Sequence, residues 1–317
     1  MKNLYLLIHL LALPLCVAAQ QEQMYTQFMF NKQAYNPGYA GSFVSPTLTA
    51  IYRNQWMGLD GAPKAMSISY TQPLLNNRVG IGGNIARQSI GINTNLTIDL
   101  AYAYRIQLKR GMLAVGLQAS MRNIRQNWAD SRIIVIDQSD PGIPTVPKSK
   151  FVPNFGAGLY YSAYTERWYA GVSLPRIVSN SIDFSEFGDI LSREVQHINA
   201  MGGIKLKAAK DLEITPQVLL RYAFGAPFDA ELNISALFQR KFYGGLTYRV
   251  GGDTNFAGES LDAALGFQAT DKLFFCLSYD IGLTWLRKFN NGSIEATVRW
   301  WFNPPDDVVA VKPARPF

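Results

Sequence analysis

Polar and apolar side chains alternate along many segments of this chain. In residues 96–107, LTIDLAYAYRIQ, every second residue from Leu96 to Ile106 is apolar or aromatic, and the residues between them are small or polar, such as Asp99 and Arg105. Successive side chains of a β-strand point to opposite faces, so this pattern predicts a strand with one apolar and one polar face. The same division recurs in residues 211–222, 231–239, 261–268, 273–284 and 293–302.

The alternating runs are long enough to cross a membrane. We predict about fourteen strands, at 46–55, 64–73, 77–87, 94–107, 111–123, 154–164, 167–175, 196–207, 211–222, 229–239, 241–250, 260–269, 272–284 and 292–302. A soluble β-sandwich also alternates, but its strands are usually shorter. Many of these runs reach the length of a tilted transmembrane strand. The predicted fold class is therefore all-β, a transmembrane antiparallel β-barrel with an N-terminal plug-like segment.

The connections between these strands differ in length on the two sides of the sheet. Short connections follow even-numbered strands, for example at 74–77, 108–111 and 164–167, whereas the longest, 124–153 and 176–195, follow odd-numbered strands. Outer-membrane barrels have short periplasmic turns and longer extracellular loops. The asymmetry favours such a barrel in the cell outer membrane.

The two ends of the chain predict the remaining divisions. Lys2, an apolar run over 4–17 and the small residues at 17–19 have the pattern of a secretory signal peptide, so we expect residues 1–19 to be removed. We assign 20–45 to the plug-like segment and 46–302 to the barrel. The Pro-rich residues 303–317 are predicted to form a periplasmic tail.

Composition excludes some classes of protein. Charged residues make up 17% of the chain and aromatic residues 13%, and no apolar run of helix-spanning length follows the signal. A helical membrane protein is excluded on that ground, and a β-barrel is not. Loss of the signal leaves Cys276 as the one cysteine, so no intramolecular disulfide is expected. The net charge of +7 is modest, and no nucleic-acid partner is predicted.

Charged residues on the polar faces would line the lumen. They are Asp99, Glu213, Glu231, Asp262, Asp280 and Glu295 with Arg105, Arg122, Arg221, Arg249 and Arg299. Charges enclosed in a wall are expected to pair. Their near balance favours a cross-braced, filled interior, with a conducting channel as the alternative.

Catalytic chemistry has few candidates. The chain has two histidines, His9 leaves with the predicted signal, and His197 has no Cys or His partner at metal-ligand spacing. The Gly-rich stretches at 80–84 and 251–258 do not precede predicted helices, as a phosphate-binding loop would. We predict no enzyme activity, cofactor or metal; a hydrolase that depends on His197 is the alternative.

Residues 27–42, QFMFNKQAYNPGYAGS, place four aromatic rings around an Asn-Pro turn. Aromatic residues need burial, and a lumen of this circumference has room beyond its own side chains. We therefore predict that the segment fills the lumen or its periplasmic mouth; a short first strand or a leader is the alternative. The candidate residues here are Phe28, Phe30, Tyr35, Asn36, Pro37, Tyr39 and Gly41.

Further candidates for partner binding lie on the extracellular side. Arg53, Gln55 and Trp56 belong to YRNQWMGLDGAP at 52–63, where the chain passes from a strand into a loop. Arginine is a forked donor and tryptophan a large amphipathic surface, although a rim packed for stability alone is also possible. The two longest loops are predicted to engage a partner, through IIVIDQSDPGIPTVP at 133–147 and through Phe184 and Phe187 in DFSEFGDI. A lid over the lumen is the alternative.

The order of these blocks resembles one protein family. QFMFNKQAYNPGYAGS is similar to the N-terminal signature of the PorP/SprF family, outer-membrane proteins of the type IX secretion system of Bacteroidetes. Matching blocks follow in order: 52–63, 154–161, 169–177, 214–227, 244–249, 279–286 and 291–295. The chain departs from the family at Gly38, often Ala, and at Ile294, often His.

The resemblance implies a non-enzymatic role. Such a barrel is expected to assist secretion or surface attachment of proteins that bear a type IX C-terminal signal, often gliding adhesins. The implied partners are this adhesin-like cargo, periplasmic secretion components and outer-membrane lipid. A passive porin or small-ligand channel is the alternative.

Overall fold

The computed structural model describes residues 25–134, 146–184, 192–224, 227–251 and 258–303. The strands are β1 Thr47–Asn54, β2 Lys64–Leu74, β3 Val79–Ile90, β4 Asn93–Gln107, β5 Gly111–Gln126, β6 Lys148–Ala163, β7 Trp168–Leu174, β8 His197–Ile204, β9 Leu206–Ala209, β10 Leu212–Ala223, β11 Asp229–Phe238, β12 Phe242–Val250, β13 Gly258–Thr270, β14 Leu273–Gly282 and β15 Ser293–Trp301. Short 3-10 helices cover Phe28–Phe30, Lys32–Ala34, Pro37–Tyr39 and Trp285–Phe289. Among the described residues, no helix is long and apolar enough to span a membrane.

The strands close into an antiparallel barrel. Each strand pairs with its neighbour in sequence, and β15 pairs with β1 from Thr47↔Trp301 to Asn54↔Ile294. β8 and β9 both pair with β10 and form one wall strand interrupted at Lys205. The wall therefore has fourteen strands, and the predicted all-β, transmembrane antiparallel barrel is confirmed.

Most predicted strand boundaries lie within a few residues of the observed ones, but the loop predicted at 124–153 is shorter. The pairing of β5 with β6 continues from Arg122↔Val152 to Gln126↔Lys148. Polar residues occupy both faces of this outer part of the hairpin. The alternation of apolar and polar residues that predicts a transmembrane strand is therefore lost there. The hydrogen-bonded pairing of the two strands nevertheless continues.

The two faces of the wall have opposite chemistry. Outward-facing Leu100, Leu117 and Leu265 are 64%, 61% and 75% exposed. Inward-facing residues are polar and buried, among them Asn84, Asp99, Gln118, Thr215, Asn233 and Thr247. This is the apolar-out, polar-in arrangement of a barrel surrounded by lipid. We assign the short-turn end to the periplasm by the same rule.

The buried apolar core lies inside the barrel. Its members from the N-terminal segment, which we define as residues 25–46, include Phe28, Phe30, Tyr35 and Tyr39, and they pack with wall residues such as Tyr160, Tyr169, Tyr243 and Phe274. The segment begins beside Glu295, in the extracellular half of β15. It leads directly into Thr47, the periplasmic end of β1. It thus runs along the lumen from the outer half towards the periplasm.

Candidate functional site: the occupied lumen

The start of the N-terminal segment is bound to a charged group in the wall. The backbone N–H groups of Thr26 and Gln27 donate to the two carboxylate oxygens of Glu295, each at 2.8 Å. Arg53 donates to Thr26 and lies 2.7 Å from Asp280 and 3.4 Å from Glu295. We call these five residues the outer anchor. Because Glu295 is fully buried, its charge is compensated by these donors rather than by bulk water.

The outer anchor continues into a buried ion-pair network. Arg249 lies 3.6 Å from Asp280 and 3.7 Å from Glu231, and Arg221 lies 3.3 Å from Glu231. Asp262 is directly opposite Asp280 across the β13–β14 pair. The predicted pairing of lumen charges is therefore observed here. The network links strands on both sides of the barrel closure and braces the wall internally.

Aromatic side chains fill the middle of the lumen. The ring centroid of Phe30 lies 5.1 Å from that of Tyr243 and 5.1 Å from that of Phe274. The Arg299 guanidinium lies 5.1 Å from the Phe30 ring and donates to the Phe30 carbonyl. These contacts join Phe30 to inward-facing side chains of three wall strands.

The Asn-Pro-Gly turn is built around the side chain of Asn36. Its Oδ1 accepts from the backbone N–H of Gly38 at 2.8 Å, and its Nδ2 donates to the carbonyls of Leu159 at 3.0 Å and Val172 at 3.4 Å. Pro37 starts the 3-10 helix that follows. One amide thus stabilises the turn and joins it to β6 and β7.

Glycines in the wall let the turn approach the strands. A Cβ on Gly116 would lie 2.2 Å from the Gly38 nitrogen, and one on Gly158 would lie 2.2 Å from Asn36 Oδ1. Gly41 has a φ of +70° and passes Gly80 so closely that its Cβ would lie 2.4 Å from the Gly80 Cα. We call this the glycine contact: residues 36–41 with Gly80, Gly116 and Gly158. The close approach of residue 41 explains why residue 80, the first of the Gly-rich stretch at 80–84, is a glycine. A glycine within a strand often marks such an approach of another backbone.

Tyr35 and Tyr39 are buried on either side of this turn. The Tyr35 carbonyl accepts from Ser173 Oγ at 2.6 Å and from Asn199 Nδ2 at 3.1 Å. The Tyr39 ring packs edge-on against Tyr160 at 5.2 Å. All seven candidate residues of the N-terminal segment therefore contact the inside of the wall, or each other, rather than an external surface.

The candidates at 53–56 separate into different environments. Arg53 is 1% exposed, and the strand period places its side chain in the lumen, against Asp280 and Glu295. Its contact with a partner stays a prediction. Gln55 and Trp56 are half-buried at the outer rim. Trp56 has a φ of +52°, and its backbone N–H donates to Ser293 Oγ at 3.2 Å.

The loop candidates are described in part. Phe184 is half-buried, and Phe187 lies outside the described residues. Most of the run at 133–147 also lies outside them. In the preceding turn, hydrogen bonds from Arg132 lower the pKa of Asp130 to about 2.

A second polar cluster lies at the outer mouth and was missed by sequence reasoning. Glu194 lies 3.1 Å from Arg122, and it accepts from Asn154 Nδ2 at 2.7 Å and Asn180 Nδ2 at 3.1 Å. The inward parity of Asn154 on β6 was the available signal. His197 is buried beside this cluster, and no group of side chains in the described ranges could hold a metal ion.

A closed fourteen-strand wall with an apolar outer face and a polar, occupied interior defines an outer-membrane β-barrel protein. The family model described as "Type IX secretion system membrane protein PorP/SprF" matches residues 17–300. The chain belongs to this family, and the resemblance noted in the sequence is confirmed.

Solved structures were compared with this fold, and the first supports it. The Ralstonia pickettii toluene transporter TbuX superimposes with a TM-score of 0.52 at 10% sequence identity, over 86% of this chain and 94% of that chain. The Acinetobacter baumannii outer membrane protein Omp33 gives a TM-score of 0.48 at 8% identity, over 83% of this chain and 100% of that one. No curated protein matches the chain.

Proposed function

We propose that this protein assists the secretion or surface attachment of proteins bearing a type IX C-terminal signal, such as gliding adhesins. Membership of the PorP/SprF family supports a role in the type IX system. The observation that carries the finer proposal is the occupied lumen, in which Phe28 and Asn36 are fully buried. A barrel whose interior is taken up by its own chain acts through binding surfaces rather than by permeation.

The N-terminal segment acts as a plug in this proposal. The outer anchor holds its start, Phe30 and Arg299 hold its middle, and the glycine contact holds its end. Three sites of attachment at different heights favour a segment that stays in place. The plug also fixes the wall strands that carry the outer loops, so it contributes to the binding surface indirectly.

Cargo contact is assigned to the outer loops. The connections between β5 and β6 and between β7 and β8 are the longest between strands. The rim residues Gln55 and Trp56 lie at the same, extracellular end of the barrel. The sequence of the second loop places Phe184 and Phe187 among acidic residues. Periplasmic secretion components would contact the opposite end, with its short turns.

Loop replacement in the native host tests the cargo assignment. Residues 128–146 and 178–193 are each replaced by a short Gly-Ser linker, and the turn at 269–272 is replaced in the same way as a control. We expect heat-modifiable barrels in all variants and loss of cognate adhesin display in the two loop variants alone. Display that persists with both loops replaced would contradict the assignment.

A passive porin or small-ligand channel is the second candidate. The closed barrel favours it, because barrels of this size also form pores. The two functions differ in conductance: a plugged barrel is silent in a planar bilayer, and a porin is open.

A further inference from the structure

Three cations face outward from the wall. Lys64 on β2, Arg87 on β3 and Arg125 on β5 are exposed and share their strand faces with the lipid-facing residues Met66, Ile85 and Met121, which are 49%, 52% and 43% exposed. Other cations of the described strands, such as Arg105, Arg221 and Arg249, face inward and are buried. The outward cations therefore break the apolar pattern of the outer face.

The three residues lie in one sector of the barrel. Arg87 is directly opposite Met66 and Lys64 is opposite Ser89, so the two cations are diagonal neighbours on adjacent strands. Arg125 is opposite Thr94, two residues along β4 from Leu96, the partner of Arg87. We call Lys64, Arg87 and Arg125 the rim cations. Long side chains on positions spaced this way reach a shared ligand.

No carboxylate neutralises the rim cations in the part of the chain that the structure describes. Asp60 and Asp130, in the adjacent loops, pair instead with Arg132 at 3.7 Å and 2.7 Å. An unpaired cation on the lipid face is strongly unfavourable at the bilayer midplane and nearly neutral near the interface. The height of the rim cations along the barrel therefore decides what surrounds them.

Their height corresponds to the outer edge of the apolar band. Ten residue steps separate Lys64 from Leu74 at the other end of β2, and eight separate Arg87 from Val79. With a rise of about 3.4 Å per residue and a tilt of about 40°, these steps place Lys64 roughly 26 Å and Arg87 roughly 21 Å above the periplasmic ends of their strands. The apolar band of such a barrel is about 25 Å tall. Arg125 lies further out.

We propose that the rim cations bind the phosphate groups of a phosphorylated glycolipid in the outer leaflet of the outer membrane. Arginine presents a planar fork of donors that matches phosphate oxygens, and lysine adds a point charge. The surrounding Met66, Leu96 and Ile85 offer an apolar surface for the acyl chains below the phosphates. The outer leaflet is the source because the rim cations lie at the extracellular end of the wall.

Lipid binding to the purified, full mature protein in neutral detergent tests this site. The probes are diphosphoryl lipid A, the same lipid with both phosphates removed, and phosphatidylglycerol, and retained lipid is counted by native mass spectrometry. The variant is K64Q/R87Q/R125Q. The matched control, K109Q/R110Q/K207Q, removes three exposed cations at the periplasmic end.

We expect diphosphoryl lipid A to bind the wild type and the control variant at least tenfold more tightly than it binds the rim variant. Removal of both phosphates from the lipid is expected to weaken its binding to the wild type by the same factor of at least ten. Equal binding to the wild type and the rim variant, or equal binding of the dephosphorylated lipid, would overturn the proposal. Preference for phosphatidylglycerol would overturn the glycolipid as the source. If the triple variant does not fold, the single variant R87Q and the wild-type comparison of the lipids give the same decision.

Discussion

The N-terminal segment is held by different physics at its two ends. At the outer anchor, two backbone N–H groups and Arg53 meet the buried carboxylate of Glu295. At the glycine contact, the backbone of residues 36–41 lies against glycines that leave no space for a Cβ. The first attachment depends on charge and the second on shape. The segment is therefore sensitive to charge removal at one end and to added volume at the other.

Removal of the Glu295 carboxylate should have the largest effect. In Glu295→Ala, Arg53 loses one of its two carboxylate partners, and two N–H groups lose their acceptors. Breaking a buried ion pair by removing one partner costs about 3–5 kcal/mol. We expect a loss of this size in the free energy of unfolding, measured by urea denaturation in detergent. Glu295→Gln keeps an acceptor and should lose less; equal losses would contradict the hydrogen-bonding role.

An added side chain at the glycine contact should have the next largest effect. A Cβ on Gly116 would lie 2.2 Å from the Gly38 nitrogen, so Gly116→Val forces the turn away from the wall. Overpacking of this kind typically costs about 1–3 kcal/mol. Gly244→Val is the matched control, because a Cβ there meets no atom within 4 Å. Similar stability of the two variants in urea would show that residues 36–41 do not contact β5 as described.

Loss of the turn amide should have an effect similar to or below that of Gly116→Val. Asn36→Ala removes the acceptor for Gly38 and the donor to Leu159 and Val172, leaving buried backbone groups unsatisfied. Such groups cost about 1–3 kcal/mol. Asn180→Ala removes a side-chain amide at the outer mouth and serves as a control. A stability change for Asn36→Ala no larger than that of the control would contradict the role of this amide.

The smallest effect is expected in the exposed loop. The Asp130–Arg132 pair holds the pKa of Asp130 at about 2, below its ordinary value of 3.8. A lowered pKa contributes above the ordinary value and is lost as the pH falls towards 2. Because the pair is exposed to solvent, this contribution is small, and Asp130→Asn should change barrel unfolding very little between pH 5 and about pH 8 in urea titrations. A clear loss of stability in that range would show that the loop braces the wall.

Much of the wall could be predicted from the sequence because its period is local. The alternation in residues 96–107 alone separates Leu100, outward, from Asp99, inward, and the structure has both as expected. The lumen position of Arg53 also follows from strand parity in residues 47–54, although its motif continues into a loop. Neither the outer anchor nor the glycine contact could be derived, since each brings together residues far apart in the sequence, such as Gly38 with Gly116.

Conductance tests the central claim most directly. The wild-type protein and a variant lacking residues 27–42 are reconstituted in planar bilayers under the same conditions, after heat-modifiability confirms that both are folded barrels. The account predicts a silent wild type and open channels for the deletion. A wild type that conducts steadily, or a folded deletion variant that stays closed, would contradict the proposal that the N-terminal segment closes the lumen.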